Sequence, residues 1–188
     1  MPRQTTAEID AEIVDRAAAL FSRQGFDRTS LQQVADAVGY TKAGLLHHFT
    51  SKQAILDAVV KAVRRQLAEL GAKVGGLPAG VERDGAVISA LVDLTIASPG
   101  VSEFAGTLVS GGQAVDPALE TAGIELLQAF SVDLNYPVDE RLVRIVGACA
   151  GLTTTVLQAV RVDLVREWRG SITAMAMNTL GHAATLPD

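Results

Sequence analysis

The chain has a single cysteine, Cys149, among its 188 residues. That excludes an internal disulfide framework and any zinc site built from several cysteines, and it fits a reducing cytoplasm. Aromatic residues make up only 4%, so alanine and aliphatic side chains must do most of the packing. Proline is missing between Pro2 and Pro78. A stretch that long without it, rich in Ala, Leu, Gln and Arg, predicts helix. Alternation of period two never runs long enough for a strand, and there is no repeat or low-complexity tract. The longest apolar run, Ile145–Val160, contains Thr153, Thr154, Thr155 and Gln158 and is closed by Arg144 and Arg161. A membrane span needs about 20 apolar residues, so this run reads as a buried helix. The N-terminus carries Glu8 and Asp10 where a secretion signal would need apolar residues. The expectation is a soluble, cytoplasmic protein with no membrane partner.

Catalytic chemistry is equally scarce. No His/Cys/Asp/Glu cluster has metal-ligand spacing, and no Gly-x-Ser-x-Gly or phosphate loop occurs. Cys149 and His182 stand isolated in the sequence. The expectation is a non-enzymatic protein with no catalytic residue, metal or cofactor.

What remains is a chain with 48% apolar and 20% charged residues, long enough to bury a core without staples. Its net charge is −5, but unevenly placed. Residues 22–65 hold seven basic residues (Arg23, Arg28, Lys42, Lys52, Lys61, Arg64, Arg65) against Asp27, Asp36 and Asp57, with His47 and His48 in the same stretch. Residues 71–188 hold 7 basic and 13 acidic residues. A compact basic segment on an acidic body suits a localised phosphate contact.

Local signals mark the helices. Thr5-x-x-Glu8 and Ser30-x-x-Gln33 have capping-box spacing, and Thr50-x-x-Gln53 repeats it. After the first, Ile9, Ile13, Ala17, Leu20 and Phe21 recur at three- and four-residue steps until Gly25. A second, short helix has Leu31, Val34, Ala35 and Val38 as its apolar face and stops at Gly39. Thr41 can cap a third, with Leu45, Leu46 and Phe49 inward. A fourth, long helix has Ile55, Leu56, Val59, Val63, Leu67 and Leu70 on one face. Gly71, Gly75, Gly76, Pro78 and Gly80 then mark a composition break. Beyond it, helices are expected over about 85–97, 101–112, 117–131, 139–161 and 164–184, with Ser98-Pro99, Asp116-Pro117 and Asp163 as starts. The reading is all-α: a helix-turn-helix domain over 1–50, a connecting fourth helix over 51–70, and a helical domain over 71–188.

The informative segment is Leu31–Phe49, which has helix-turn-helix geometry. Ala35 is small where two helices cross, Gly39 supplies a left-handed turn, and Leu45 packs the second helix on the first. Thr41, Lys42, Ala43, Gly44, His47 and His48 then fall toward the outward side, although His48 could equally be a partly buried residue bonding to backbone. Small residues let backbone approach a groove wall, while Lys42 and His47 can reach base edges or phosphates. Thr29 and Ser30 lie at a helix N-terminus suited to a phosphate. Lys52 lies in a first turn where its charge opposes the helix dipole; a phosphate partner would explain it, and the alternative on position alone is a surface lysine without a role.

Residues 6–70 resemble the DNA-binding domain of the tetracycline-repressor (TetR) family. The matching pieces are Ala18-x2-Phe21-x3-Gly25-Phe26-x2-Thr29, Val34-Ala35-x3-Gly39, and Lys42-x2-Leu45-x2-His48-Phe49-x-Ser51-Lys52-x2-Ile55-Leu56. The resemblance implies a homodimer on a double-stranded DNA operator, with 71–188 as a ligand-binding and dimerisation domain. In one respect the chain departs from it. Family members usually carry Tyr, whose phenol touches the DNA backbone, where this chain has Leu46; Tyr40 in the turn can offer a substitute hydroxyl.

The resemblance also implies that the last two helices build the dimer interface. The small run Gly147-Ala-Cys-Ala-Gly151 would let another helix come close there, and Trp168 and Met175 lie on the adjacent helix. A ligand pocket in this region would draw on Phe104, Leu108, Ser110, Thr154 and Gln158, an apolar lining with a few neutral polar groups. Such a pocket favours a small apolar or amphipathic effector. The leading functional reading is a ligand-responsive homodimeric repressor. The alternative is a helical adaptor of the same fold that binds a protein partner, which Leu46 favours and the basic segment opposes.

Overall fold

A computed structural model describes residues 5–109, 117–133 and 140–182. Nine helices occur among them: α1 Thr6–Gln24, α2 Leu31–Ala37, α3 Lys42–His48, α4 Lys52–Val74, α5 Val81–Ala97, α6 Pro99–Val109, α7 Pro117–Ala129, α8 Glu140–Arg161 and α9 Val165–Thr179. No strand occurs among the described residues.

The first helices begin where the sequence says. Thr5 and Ser30 each form a complete capping box, with Glu8 and Gln33 returning the bond. Thr41 Oγ1 accepts the Gly44 N–H at 3.0 Å. The cap of α4 is Ser51, accepting from Ala54, rather than Thr50 one residue earlier. Gly71 does not end the helix: α4 runs through it to Val74 and stops at Gly75, because Leu70 and Val74 are buried and hold its last turn. Likewise α5 starts at Val81, four residues before the expected position. Asp163 is not a cap. It takes a left-handed φ of 57°, and Leu164 precedes α9 with no side-chain bond. Asp116 lies outside the described residues.

One continuous core joins α1–α4 to α5–α9. Helix α4 bridges the two, with Ile55, Leu56, Val59 and Val63 buried at its base and Leu67, Leu70 and Val74 farther along. Helix α8 is long and apolar enough to cross a membrane by length and composition. Its Ile145, Ala148, Cys149, Leu152, Val156 and Ala159 are buried, and it packs against α5, α6 and α9.

The far end of the C-terminal helices is fastened by a polar knot. Asp84 is fully buried and accepts from Arg141 Nη2 at 3.0 and 3.2 Å, with His182 Nε2 2.7 Å away. Arg141 also donates to the Phe130 carbonyl, and Arg83 to those of Leu77, Gln128 and Ala129. His182, isolated in sequence, is therefore one member of a group drawn from α5, α8 and the end of α9. A buried carboxylate needs such partners.

Candidate nucleic-acid interface and its connection to an apolar cleft

Helices α2 and α3 meet through a tight turn. Gly39 adopts φ 71°, and the Tyr40 N–H returns to the Ala35 carbonyl at 2.9 Å. Ala35 and Leu45 are fully buried at the crossing. Gly44 has its own reason: a Cβ there would lie 3.2 Å from the Tyr40 ring and 3.3 Å from Thr41 Oγ1. The absence of a side chain lets Tyr40 lie against α3.

The outward face of α3 carries Thr41, Lys42, Ala43 and His47, all exposed, with Gly44 half-buried. Ser30 is also exposed, at the start of α2. Leu46 was expected inward. It is 38% exposed, because Leu45 already occupies the inward position and one residue turns a helix by about 100°.

Three candidate contacts are committed inside the protein instead. Thr29 is buried, and its hydroxyl donates to the Gly25 carbonyl at 2.8 Å. His48 turns toward α1, with Nδ1 2.6 Å from Asp10 Oδ1 and its ring edge-on to Tyr40. Lys52 Nζ donates to the carbonyls of Phe26 at 2.7 Å and Thr29 at 2.9 Å, reaches that of Asp27 at 3.4 Å, and sits 4.2 Å from the Phe26 ring centre. These acceptors and the ring face account for a cation at a helix start without a phosphate. Lys52 thereby ties the α1–α2 loop to the base of α4.

Helix α1 is joined to α6 by a closely fitted contact. Asp15 Oδ1 accepts the N–H groups of Gly100 at 2.8 Å and Val101 at 3.0 Å, capping α6 from another helix. Burial pushes the Asp15 carboxyl above its ordinary range against these two bonds. Arg23 grips Glu103 with two bonds of 2.8 and 2.7 Å, which raises the guanidinium further. Gly100 is where the backbones come closest: a Cβ there would fall 1.9 Å from the Asp15 carbonyl oxygen.

On its other side α6 lines an open apolar cleft among α4, α5, α6, α7 and α8. Leu67, Leu91, Leu94 and Leu126 form much of its wall, and Gln66, Thr95, Ser102 and Thr153 are its polar groups. Thr95 already donates to the Leu91 carbonyl. Cys149 lines the same cleft, and burial pushes its thiol up to about 12.

This is not the expected set of ligand residues. Phe104 is buried in the core and is not part of the cleft lining. Thr154 and Gln158 are exposed and line a shallower outer groove with Thr107 and Arg161. Ser110 and the side chain of Leu108 lie outside the described residues. The cleft residues share no local motif, so sequence offered no signal for Gln66 or Ser102.

The expected dimer residues also have partners within the chain. A Cβ at Gly147 would touch Thr179 at 3.5 Å, and one at Gly151 would touch Met175 at 3.4 Å. The helix these small residues admit is α9 of the same chain. Trp168 is half-buried against the core, and Met175 is 37% exposed.

Residues 13–59 match the family model for bacterial regulatory proteins of the tetR family. Over 50 residues the chain is 44% identical to the Staphylococcus aureus HTH-type negative transcriptional regulator of the biofilm operon, IcaR, covering 27% of each protein. It is 38% identical over 50 residues to the HTH-type transcriptional repressor KstR2 of Rhodococcus jostii, covering 27% of this chain and 24% of that one. The match thus spans about a quarter of the length of these relatives. The fold extends further. The structure of the TetR family protein CprB from Streptomyces coelicolor aligns with 93% of this chain and 98% of its own at TM-score 0.54 and 22% identity. AmtR from Mycobacterium smegmatis aligns with 99% and 91% at 0.51 and 23%. The helix-turn-helix of α2 and α3 thus lies inside a segment that matches the tetR family of bacterial regulatory proteins, and the chain as a whole shares the fold of these solved TetR-type structures.

Proposed function

We propose that the protein is a homodimeric, effector-responsive repressor acting in the cytoplasm on a palindromic DNA operator. The observation that carries this is the exposed face of α3, with Lys42, Ala43 and His47 outward and Ser30 exposed at the start of α2. A dimer would present two such faces to successive major grooves about 34 Å apart. Pairing would use the outer sides of α8 and α9, where Val143 and Met175 are exposed apolar residues. The effector would enter the cleft among α4–α8. With no charged residue in its lining, that cleft suits a neutral apolar or amphipathic molecule. Coupling would run through the two helices that touch both regions. Helix α4 carries Gln66 and Leu67 in the cleft and Lys52 at its base; α6 carries Ser102 and Ala105 in the cleft and Gly100 against α1. An effector shifts DNA affinity only by its differential affinity for the two states, so a 100-fold release corresponds to about 2.7 kcal/mol of coupling.

The test is a mobility-shift titration of the full-length protein on the DNA upstream of its own gene, across a salt series. Saturable, sequence-dependent binding whose affinity falls steeply with salt is expected. Absence of binding at low salt would favour the adaptor reading, in which exposed Leu46 meets a protein.

A further inference from the structure

Helix α3 carries one large apolar side chain that the described residues leave exposed. Leu45 is fully buried, whereas Leu46 stands 38% exposed. Lys42 and Leu46 are four residues apart, as are Ala43 and His47, and Ala43 and Leu46 are three apart. Those spacings gather the four side chains into one surface patch. Lys42, Ala43 and His47 are exposed with it. Two members can donate hydrogen bonds; Ala43 and Leu46 cannot. Thr41, at the edge of the patch, already uses its oxygen to cap the helix. Half of the patch is therefore apolar.

A leucine has nothing to offer a phosphate. In the major groove the base edges present hydrogen-bonding atoms, with one apolar group among them, the C5-methyl of thymine. We propose that Leu46, with Ala43 beside it, reads a thymine methyl in each operator half-site. This rests on the DNA-binding reading above and adds a specificity contact to it. Lys42 and His47 on either side supply the polar contacts to the neighbouring base edges or phosphates. The protein then prefers T·A over C·G at that step by contact with a methyl group, without a hydrogen bond to distinguish them. Enclosing one methyl against an aliphatic side chain corresponds to a loss of about fourfold in affinity when that methyl is removed.

The experiment uses the full-length protein. Its preferred duplex is selected from random-sequence DNA, and each thymine is then replaced singly by deoxyuridine, which removes one methyl and leaves the pairing intact. The expected result is one position per half-site where the replacement weakens binding about fourfold. Leu46→Ala should abolish that penalty, and Leu46→Met, which keeps an apolar side chain, should retain it. Both variants are surface changes, and thermal melts check that they fold like the parent. If no deoxyuridine weakens binding, or if the penalty persists unchanged in Leu46→Ala, the proposal is wrong while DNA binding stands. If no sequence is selected from the pool at all, the DNA-binding reading falls together with it.

Discussion

The two parts of the chain start their helices differently. In the N-terminal part, α1 to α4 each begin at a Ser or Thr whose oxygen accepts an N–H three residues on. In the C-terminal part, α5 and α9 have no side-chain cap, and α6 takes its cap from Asp15, 85 residues away. Local chemistry specifies the first set; tertiary contact specifies the second. The contact between α1 and α6 is where the two regimes meet.

That contact is the place to break the comparison most sharply. Gly100→Val should cost about 3 kcal/mol or more, since its Cβ would meet backbone rather than a movable side chain. Gly106→Ala, on the same helix with nothing within 4 Å of its Cβ, should stabilise by about 0.5–1 kcal/mol through helix propensity. Urea unfolding of the two variants measures both. Similar values for the two would mean that α1 and α6 are not tightly joined.

Lys52 is the next lever, because two accounts of it disagree. If it braces the loop at Phe26–Thr29, Lys52→Met should lower stability by about 2 kcal/mol, as for hydrogen bonds from a charged donor. The amide protons of that loop should then exchange faster. If it were chiefly a phosphate contact, stability would hold and the salt slope of DNA binding would drop by about one unit. Measuring both on one variant decides between them.

The same asymmetry explains what was legible in the sequence. Helix starts at Thr5, Ser30 and Thr41, the turn at Gly39 and the burial of Ala35 and Leu45 follow from signals within a few residues. The misreadings at α3 and α8 are errors of helix face by one position. Leu46 and Leu45 are equally apolar, and Thr153 and Thr154 are chemically identical, so composition cannot say which one faces inward. Thr29, His48 and Lys52 present another difficulty. Their chemistry suits a phosphate, and only the folded chain brings Gly25, Asp10 and the Phe26 carbonyl within their reach. Gln66 and Ser102 could not be found locally, since the cleft exists only where five helices converge.

The threonine pair converts that ambiguity into a measurement. Thr153→Val and Thr154→Val are near-isosteric changes on adjacent residues, one lining the cleft and the other the outer groove. With 2-decanone and 1-decanol as neutral probes, Thr153→Val should weaken binding about fivefold, the loss of one ordinary hydrogen bond. Thr154→Val should leave it unchanged. Calorimetric titration reads both, and decanoate tests the preference for a neutral head. Equal effects of the two substitutions, or tighter binding of decanoate, would place the ligand elsewhere.

The smallest expected effect concerns Asp15 and has an informative sign. A carboxylate accepting two N–H groups at a helix start would ordinarily be held ionised. Here burial is the largest influence and pushes the group above its ordinary value of 3.8. The bonds from Val101 and Gly100 and the charge of Arg16 oppose that rise, and the charge of Glu103 adds to it. Between 3.8 and the raised value the folded chain holds more protons at this position than the unfolded chain. Stability from Asp15 therefore falls as pH rises through that window. An asparagine in its place would keep a cap oxygen and carry no charge at any pH. The stability of the parent relative to Asp15→Asn should be greater near pH 4 than at pH 7, a difference below about 1 kcal/mol, the scale of a partly exposed charge at a helix end. Paired urea titrations at several pH values measure it, and every other carboxylate cancels in the comparison. A parent that gained on the variant as pH rose would show that the α6 N–H groups outweigh burial, and that the contact between α1 and α6 is held by charge as well as by fit.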